Sequence, residues 1–136
     1  MAVDRFEFVV QGVPRSLQAK PPGRRAWMNK VAAAAQETWP ANRPPMDEEL
    51  SVAIIYYHAG DADVDVDNII KPILDALVNV AYVDDKLVSQ VTSRRTRLEA
   101  GLVIENVTPV LAEGLEMGED FVYVAVRSAP DHGRIP

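Results

Sequence analysis

Residues 60–77 read GDADVDVDNIIKPILDAL. Asp61, Asp63, Asp65 and Asp67 alternate with small or apolar residues, as side chains of an extended segment do. The period then changes at once: Ile69, Ile70, Ile73, Leu74 and Leu77 make an apolar stripe at helical spacing. The switch predicts a helix over 68–79 that starts where the row of carboxylates ends. Asp67 or Asn68 suits its N-cap, and Pro72 fits only if it lies in the first turn, where N–H groups lack internal partners. Before the row, LSVAIIYYH (50–58) is β-branched and aromatic and predicts a strand. After the helix, VAYVDDK (80–86) turns the chain and a strand is predicted over 87–97.

Outward from this unit, RFEFVVQG (5–12) predicts a first strand through Phe6, Phe8 and Val10. Residues 13–25 predict a loop, because Pro14, the Pro21-Pro22 pair and Gly23 oppose regular structure. The alanine-rich 26–38 predicts a helix. GLVIENV (101–107) and FVYVAVR (121–127) predict further strands, with a short helix between them. The end of the chain, 127–136, reads as a flexible tail. The order β-α-β-α-β-β-(α)-β predicts a single α+β domain over 1–136, with a mixed sheet and helices packed on one face.

With 48% apolar and 25% charged residues, the 136-residue chain can bury one core. No apolar run approaches the roughly 20 residues that span a bilayer, and MAVDRFEFVVQG lacks the basic start and apolar core of a secretion signal. There is no cysteine, which excludes disulfides and thiolate metal sites. A cytoplasmic location is the expectation. The net charge of −6 argues against a polyanionic partner, but its distribution does not. No acid occurs between Glu7 and Glu37, where Arg15, Lys20, Arg24, Arg25 and Lys30 fall. A second acid-free stretch, Lys86 to Arg97, carries Arg94, Arg95 and Arg97. Screening confines attraction to about 8–10 Å, so such segregation outweighs the sum; each basic stretch taken alone reads equally as a solvated face.

In an extended segment, Asp65 and Asp67 present carboxylates on one side about 6.6 Å apart. Two such groups repel, and a divalent cation relieves the conflict. Mg²⁺ takes oxygen ligands, commonly one or two carboxylates, and fills its shell with water and substrate phosphate. Asp67, Lys71 and Asp75 recur every four residues and share a face if the helix starts early enough. Asp84-Asp85 arrives after one helix and a turn, the length that returns the chain to the strand end. Lys71 is then placed to neutralise a phosphate oxygen. An Asp-rich turn, a surface lysine and an Asp pair each have an ordinary solvated reading alone; it is their combination around one strand–helix–turn unit that favours a divalent-metal site. A calcium-binding helix–loop–helix loop is excluded, because positions 6 and 12 from Asp61 are Val66 and Pro72, and from Asp63 Asn68 and Leu74. DADV (61–64) resembles the nucleophile motif of haloacid-dehalogenase-like phosphatases, but the chain is short and its Asp pair comes too soon.

DVDNIIKPILDAL (65–77) followed by VAYVDDKLV (80–88) resembles the signature of the RusA family of Holliday junction resolvases. The matching positions are Asp65, Asp67, Asn68, Lys71, Asp75 to Leu77 and Asp84-Asp85; GVPRSLQAK (12–20) and Trp27 resemble the family's N-terminal part. Leu87 stands where many relatives carry Gln, and Asp61 and Asp63 extend the acidic row beyond the family pattern as solvated residues. The resemblance implies a homodimeric, Mg²⁺-dependent endonuclease of α+β fold, Mn²⁺ being a substitute ion, that nicks a four-way DNA junction symmetrically. It implies Asp65, Asp67 and Asp85 as metal ligands, Asp84 as a further candidate, and Lys71 as the essential lysine. Arg15, Lys20, Arg24, Arg25, Arg94, Arg95 and Arg97 are then candidates for DNA phosphate contacts. A different class of reading is a non-catalytic, metal-stabilised module that binds junctions without cutting them. His58 and His132 are expected in packing and in the tail.

Overall fold

In the computed structural model, which describes residues 5–16, 18–62, 64–99 and 107–129, the apolar runs of the sequence become the middle of one sheet. Its strands are β1 (Arg5–Gln11), β2 (Leu50–His58), β3 (Val88–Arg97) and β4 (Phe121–Ser128), in the order β1-β4-β2-β3. β4 runs antiparallel to both β1 and β2, whereas β2 and β3 are parallel. The sheet is therefore mixed, as expected for the α+β class. Central β2 and β4 are buried on both faces, which is why LSVAIIYYH and FVYVAV read as nearly continuous apolar runs. Edge strand β3 is built of Ser, Gln, Thr and Arg, residues that tolerate an unpaired side.

Helices α1 (Pro21–Thr38) and α2 (Ile70–Ala76) cover the face formed by Phe6, Phe8, Val10, Val52, Ile54, Tyr56, Val122, Val124 and Val126. The third helix, α3 (Pro109–Glu116), does not join them. It packs with Tyr57, Phe121, Tyr123 and Ala125 on the opposite face, so the helices occupy two faces rather than one. Gly114 makes that seat possible: a Cβ there would stand 2.6 Å from the Phe121 ring. Thr108 caps α3 by accepting from the Leu111 N–H at 3.2 Å.

Two helix starts differ from the sequence reading. α1 begins at Pro21 rather than Ala26, because proline's missing N–H costs nothing in a first turn. Trp27, Val31 and Ala35 then form its buried stripe. α2 begins at Ile70, later than expected, and neither Asp67 nor Asn68 caps it; the cap position is Ile69, with no side-chain bond. A helix starting at Asn68 needs the N–H of residue 72 for its second bond, to Asn68 O, and Pro72 has none. Asp67 thus lies in the turn before α2, not on a helix face shared with Lys71 and Asp75.

After α2, Asn79 adopts the left-handed conformation (φ 68°) and the chain reverses. Met46 clamps the turn: its N–H donates to Ala81 O (2.8 Å) and its carbonyl accepts from Val83 N–H (3.1 Å). A single 3₁₀ turn, Asp85–Leu87, leads into β3. β4 extends through Ser128, beyond the expected start of the tail, and the Ala129 N–H bonds Glu49 O at 2.9 Å. The strand expected from GLVIENV and the rest of the tail lie outside the described residues. No described helix is long and apolar enough to cross a membrane.

Candidate active site

The acidic segment leaves the end of β2 and crosses to α2 with little structure of its own. One described backbone bond lies within it, Asn68 N–H to Asp65 O at 3.1 Å. Its course is set from β3 instead. Ser93 Oγ donates to Val66 O (2.5 Å), Arg95 Nη1 to Val64 O (3.0 Å), and Arg97 Nη2 pairs with Asp61 Oδ1 (3.0 Å). These residues alternate along the strand, so the pleat sends all three side chains to one face. Arg94 points to the other face, where it stands by Tyr57; burial raises the Tyr57 pKa and the guanidinium partly offsets this.

Around α2 and the turn after it, Lys71 joins two carboxylates. Its Nζ lies 2.8 Å from Asp75 Oδ1, one turn along α2, and 2.8 Å from Asp85 Oδ2 on the 3₁₀ turn. The hydrogen bonds Lys71 donates to Asp75 and then to Asp85 raise its pKa, and Lys71 in turn holds the Asp85 carboxyl below its ordinary value. Asp84 acts as a cap, accepting from the Lys86 N–H at 2.9 Å. Beneath them Tyr82 is fully buried and donates to Leu74 O at 2.6 Å; burial, then the charges of Asp85 and Asp75, push its pKa up.

Asp65 opens onto a cleft of about 780 Å³, lined among others by Arg15, Ser16, Tyr56, Asn68 and Asp120. The sequence reading did not include Asp120. Its carboxylate accepts from Tyr56 Oη (2.5 Å) and the Ala59 N–H (2.9 Å), and its carbonyl from the Gly12 N–H (2.9 Å). It thereby joins the end of β2 to the loop that carries Arg15. Gly12 has φ 121°, a conformation open mainly to glycine, and this starts the loop. An aspartate one residue before a strand gives no periodic signal; its role emerges only when β4 lies beside β2.

The basic candidates separate into three groups. Arg15 lies against Gly23 in the first turn of α1, and Lys20, Arg24 and Arg25 belong to that same helix start, which has no acid. Arg95 and Arg97 contact the acidic segment. Arg94 is on the far face. His58 is buried, its ring nitrogen paired with Gly60 O, as expected of a packing residue.

Among the described residues no three carboxylates or histidines gather closely enough to enclose a metal ion. The donor chemistry still suits a hard divalent cation. Asp65 and Asp67 are exposed, Asp85 keeps its charged form favoured, and every donor is an oxygen. Asp85 engages the Lys71 ammonium through Oδ2, and a turn away from Lys71 would free both of its oxygens for an ion.

Compared with known proteins, residues 5–105 match the family model described as endodeoxyribonuclease RusA. The match takes in β1, α1, the acidic segment, α2, the Asp84-Asp85 turn and β3. No curated protein matches the chain.

Proposed function

The chain belongs to the RusA family of endodeoxyribonucleases, and from that premise we propose that it is a Mg²⁺-dependent resolvase that cuts Holliday junctions by paired symmetric nicks, in DNA recombination and repair. The observation that carries this reading is the meeting of Lys71 with Asp85, residues from α2 and from the turn after it, in a chain whose segment leading into α2 bears Asp65 and Asp67. Asp65, Asp67 and Asp85 would hold the ion. When bound, a divalent ion supplies Lewis-acid polarisation of the phosphodiester and acidifies water.

The remaining work falls to the chain's own groups. Lys71, like any exposed lysine, is cationic at neutral pH, and its two carboxylate partners favour that form further, so it offers a positive charge. As Asp85 turns away, Asp75 retains the ammonium at the foot of α2 and leaves it free to meet a phosphate oxygen, where charge grows as water attacks phosphorus and the P–O bond breaks. Arg15, Lys20, Arg24 and Arg25 stand at the positive end of the α1 dipole, an arrangement that costs helix stability and concentrates positive potential near the cleft. That arrangement suits the phosphate backbone of DNA. A homodimer would present two equivalent sites to two equivalent strands.

The test is a labelled synthetic four-way junction beside linear duplex, with and without Mg²⁺. Metal-dependent paired nicks on the junction alone are expected. Equal cutting of linear duplex would retain the nuclease and remove the resolvase. Tight junction binding without nicks under any divalent ion would establish the non-catalytic module instead.

A further inference from the structure

We propose that Ser93 and Arg95, on the edge strand β3, are positioning residues that set the course of the acidic segment, and that Arg95 does not serve as a phosphate contact. The inference rests on the reading of Asp65 and Asp67 as metal ligands. It begins from the pleat. Ser93, Arg95 and Arg97 face the segment in turn, and meet Val66, Val64 and Asp61 as β3 and the segment run in opposite senses. The two inner contacts go to backbone carbonyls, the groups whose direction fixes how the side chains between them project. Val64 O and Val66 O flank Asp65, and Val66 immediately precedes Asp67 along the chain.

The segment needs such an anchor. It follows β2 without continuing its ladder, precedes an uncapped helix, and has one described backbone bond of its own. Two carboxylates on so loosely bonded a stretch would sample many separations. A guanidinium and a hydroxyl on a paired strand fix the backbone from outside, since β3 is hydrogen-bonded to β2 along its length. The outermost pair, Arg97 with Asp61, differs in kind: the Asp61 side chain is 93% exposed, so solvent screens it and it adds little. The neighbouring Arg94 provides the comparison, being equally basic and on the opposite face.

The experiment compares Ser93→Ala, Arg95→Ala, Arg95→Lys and Arg94→Ala with the full-length wild-type chain. Three quantities are read: kcat for junction nicking, the salt dependence of junction binding without metal, and Mn²⁺ affinity by calorimetry. Residues that hold metal ligands in place typically change metal affinity or activity by about 10–100-fold. Ser93→Ala and Arg95→Ala should therefore weaken Mn²⁺ binding and lower kcat by about tenfold or more, while junction affinity and its salt slope remain those of wild type. Arg95→Lys, still able to donate to Val64 O, should recover part of both. If Arg95→Ala lowers the salt slope by about one, as loss of one phosphate contact does, with Mn²⁺ affinity intact, the proposal is overturned. It is equally overturned if Ser93→Ala, the milder change, leaves Mn²⁺ affinity and kcat untouched in a folded protein. Should wild type itself fail to nick or to bind Mn²⁺, the proposed function fails first.

Discussion

The two halves of the candidate site handle charge in opposite ways. Around α2 and the following turn the aspartates and Lys71 have partners: Lys71 sits between Asp75 and Asp85, and Asp84 caps a backbone N–H. On the segment between β2 and α2, Asp65 and Asp67 project from backbone that is held by its carbonyls, and neither carboxylate has an ion pair to a described residue. One half is complete without a ligand, the other has its framework but lacks a counter-charge. The contrast suggests a division of labour, in which the open half recruits the cation, Asp85 joins it from the closed half, and the closed half stores a lysine for the phosphate.

The largest effect should come from the open half. Asp67→Asn keeps the shape and removes a proposed ligand, so nicking should fall by more than the about 100-fold that supporting residues cost, with little change in thermal stability. An active Asp67→Asn would erase the distinction between the halves. Lys71→Met should come next, lowering kcat by about 10²–10³-fold, the usual loss for one charge-stabilising group, with junction affinity nearly unchanged. A loss confined to affinity would make Lys71 a binding residue instead.

Asp120 ties the wall of the open half to the rest of the fold. Asp120→Ala removes the acceptor of Tyr56 Oη and the Ala59 N–H, and should cost about 2 kcal/mol of stability by chemical denaturation. Stability equal to wild type would mean the cleft wall is held by other contacts.

The smallest effect is a pH dependence in the closed half. Asp85 has its pKa lowered on folding, chiefly by the Lys71 hydrogen bond. Its contribution is therefore present above the unfolded carboxylate value of about 3.9 and is lost as pH falls through the folded one. Because Lys71 is half exposed, the pair should stabilise by no more than about 1 kcal/mol. The stability gap between wild type and Lys71→Met should hold near neutral pH and narrow below the ordinary carboxylate range. A gap that widens in acid would contradict the pairing.

Much of the fold was legible because burial leaves a period. β1, β2 and β4 follow apolar alternation or continuous apolar runs, and α1 follows its alanines. The helix starts were less so, since a proline pair, read as a helix breaker, opens α1 at Pro21, and Pro72 withholds a bond that the stripe of isoleucines implies. The placement of α3 depended on Gly114 meeting Phe121, a contact between residues whose sequence shows no link. In the site, the spacing of Lys71 and Asp75 was readable from helical periodicity, and return distance pointed to the Asp84-Asp85 pair without choosing between its members. The arginines were not: RRTR reads as one basic cluster, yet the pleat sends Arg94 to one face and Arg95 and Arg97 to the other. Asp120 escaped notice because hydrogen bonds across non-adjacent segments have no local pattern.

The most direct test of the division between the halves is Mn²⁺ binding by calorimetry to wild type, Asp65→Asn, Asp67→Asn, Asp85→Asn and Asp75→Asn, without DNA. Wild-type binding that is lost in the first three variants and kept in Asp75→Asn is the expected result. Binding that survives in Asp67→Asn, or that disappears in Asp75→Asn, would contradict the account.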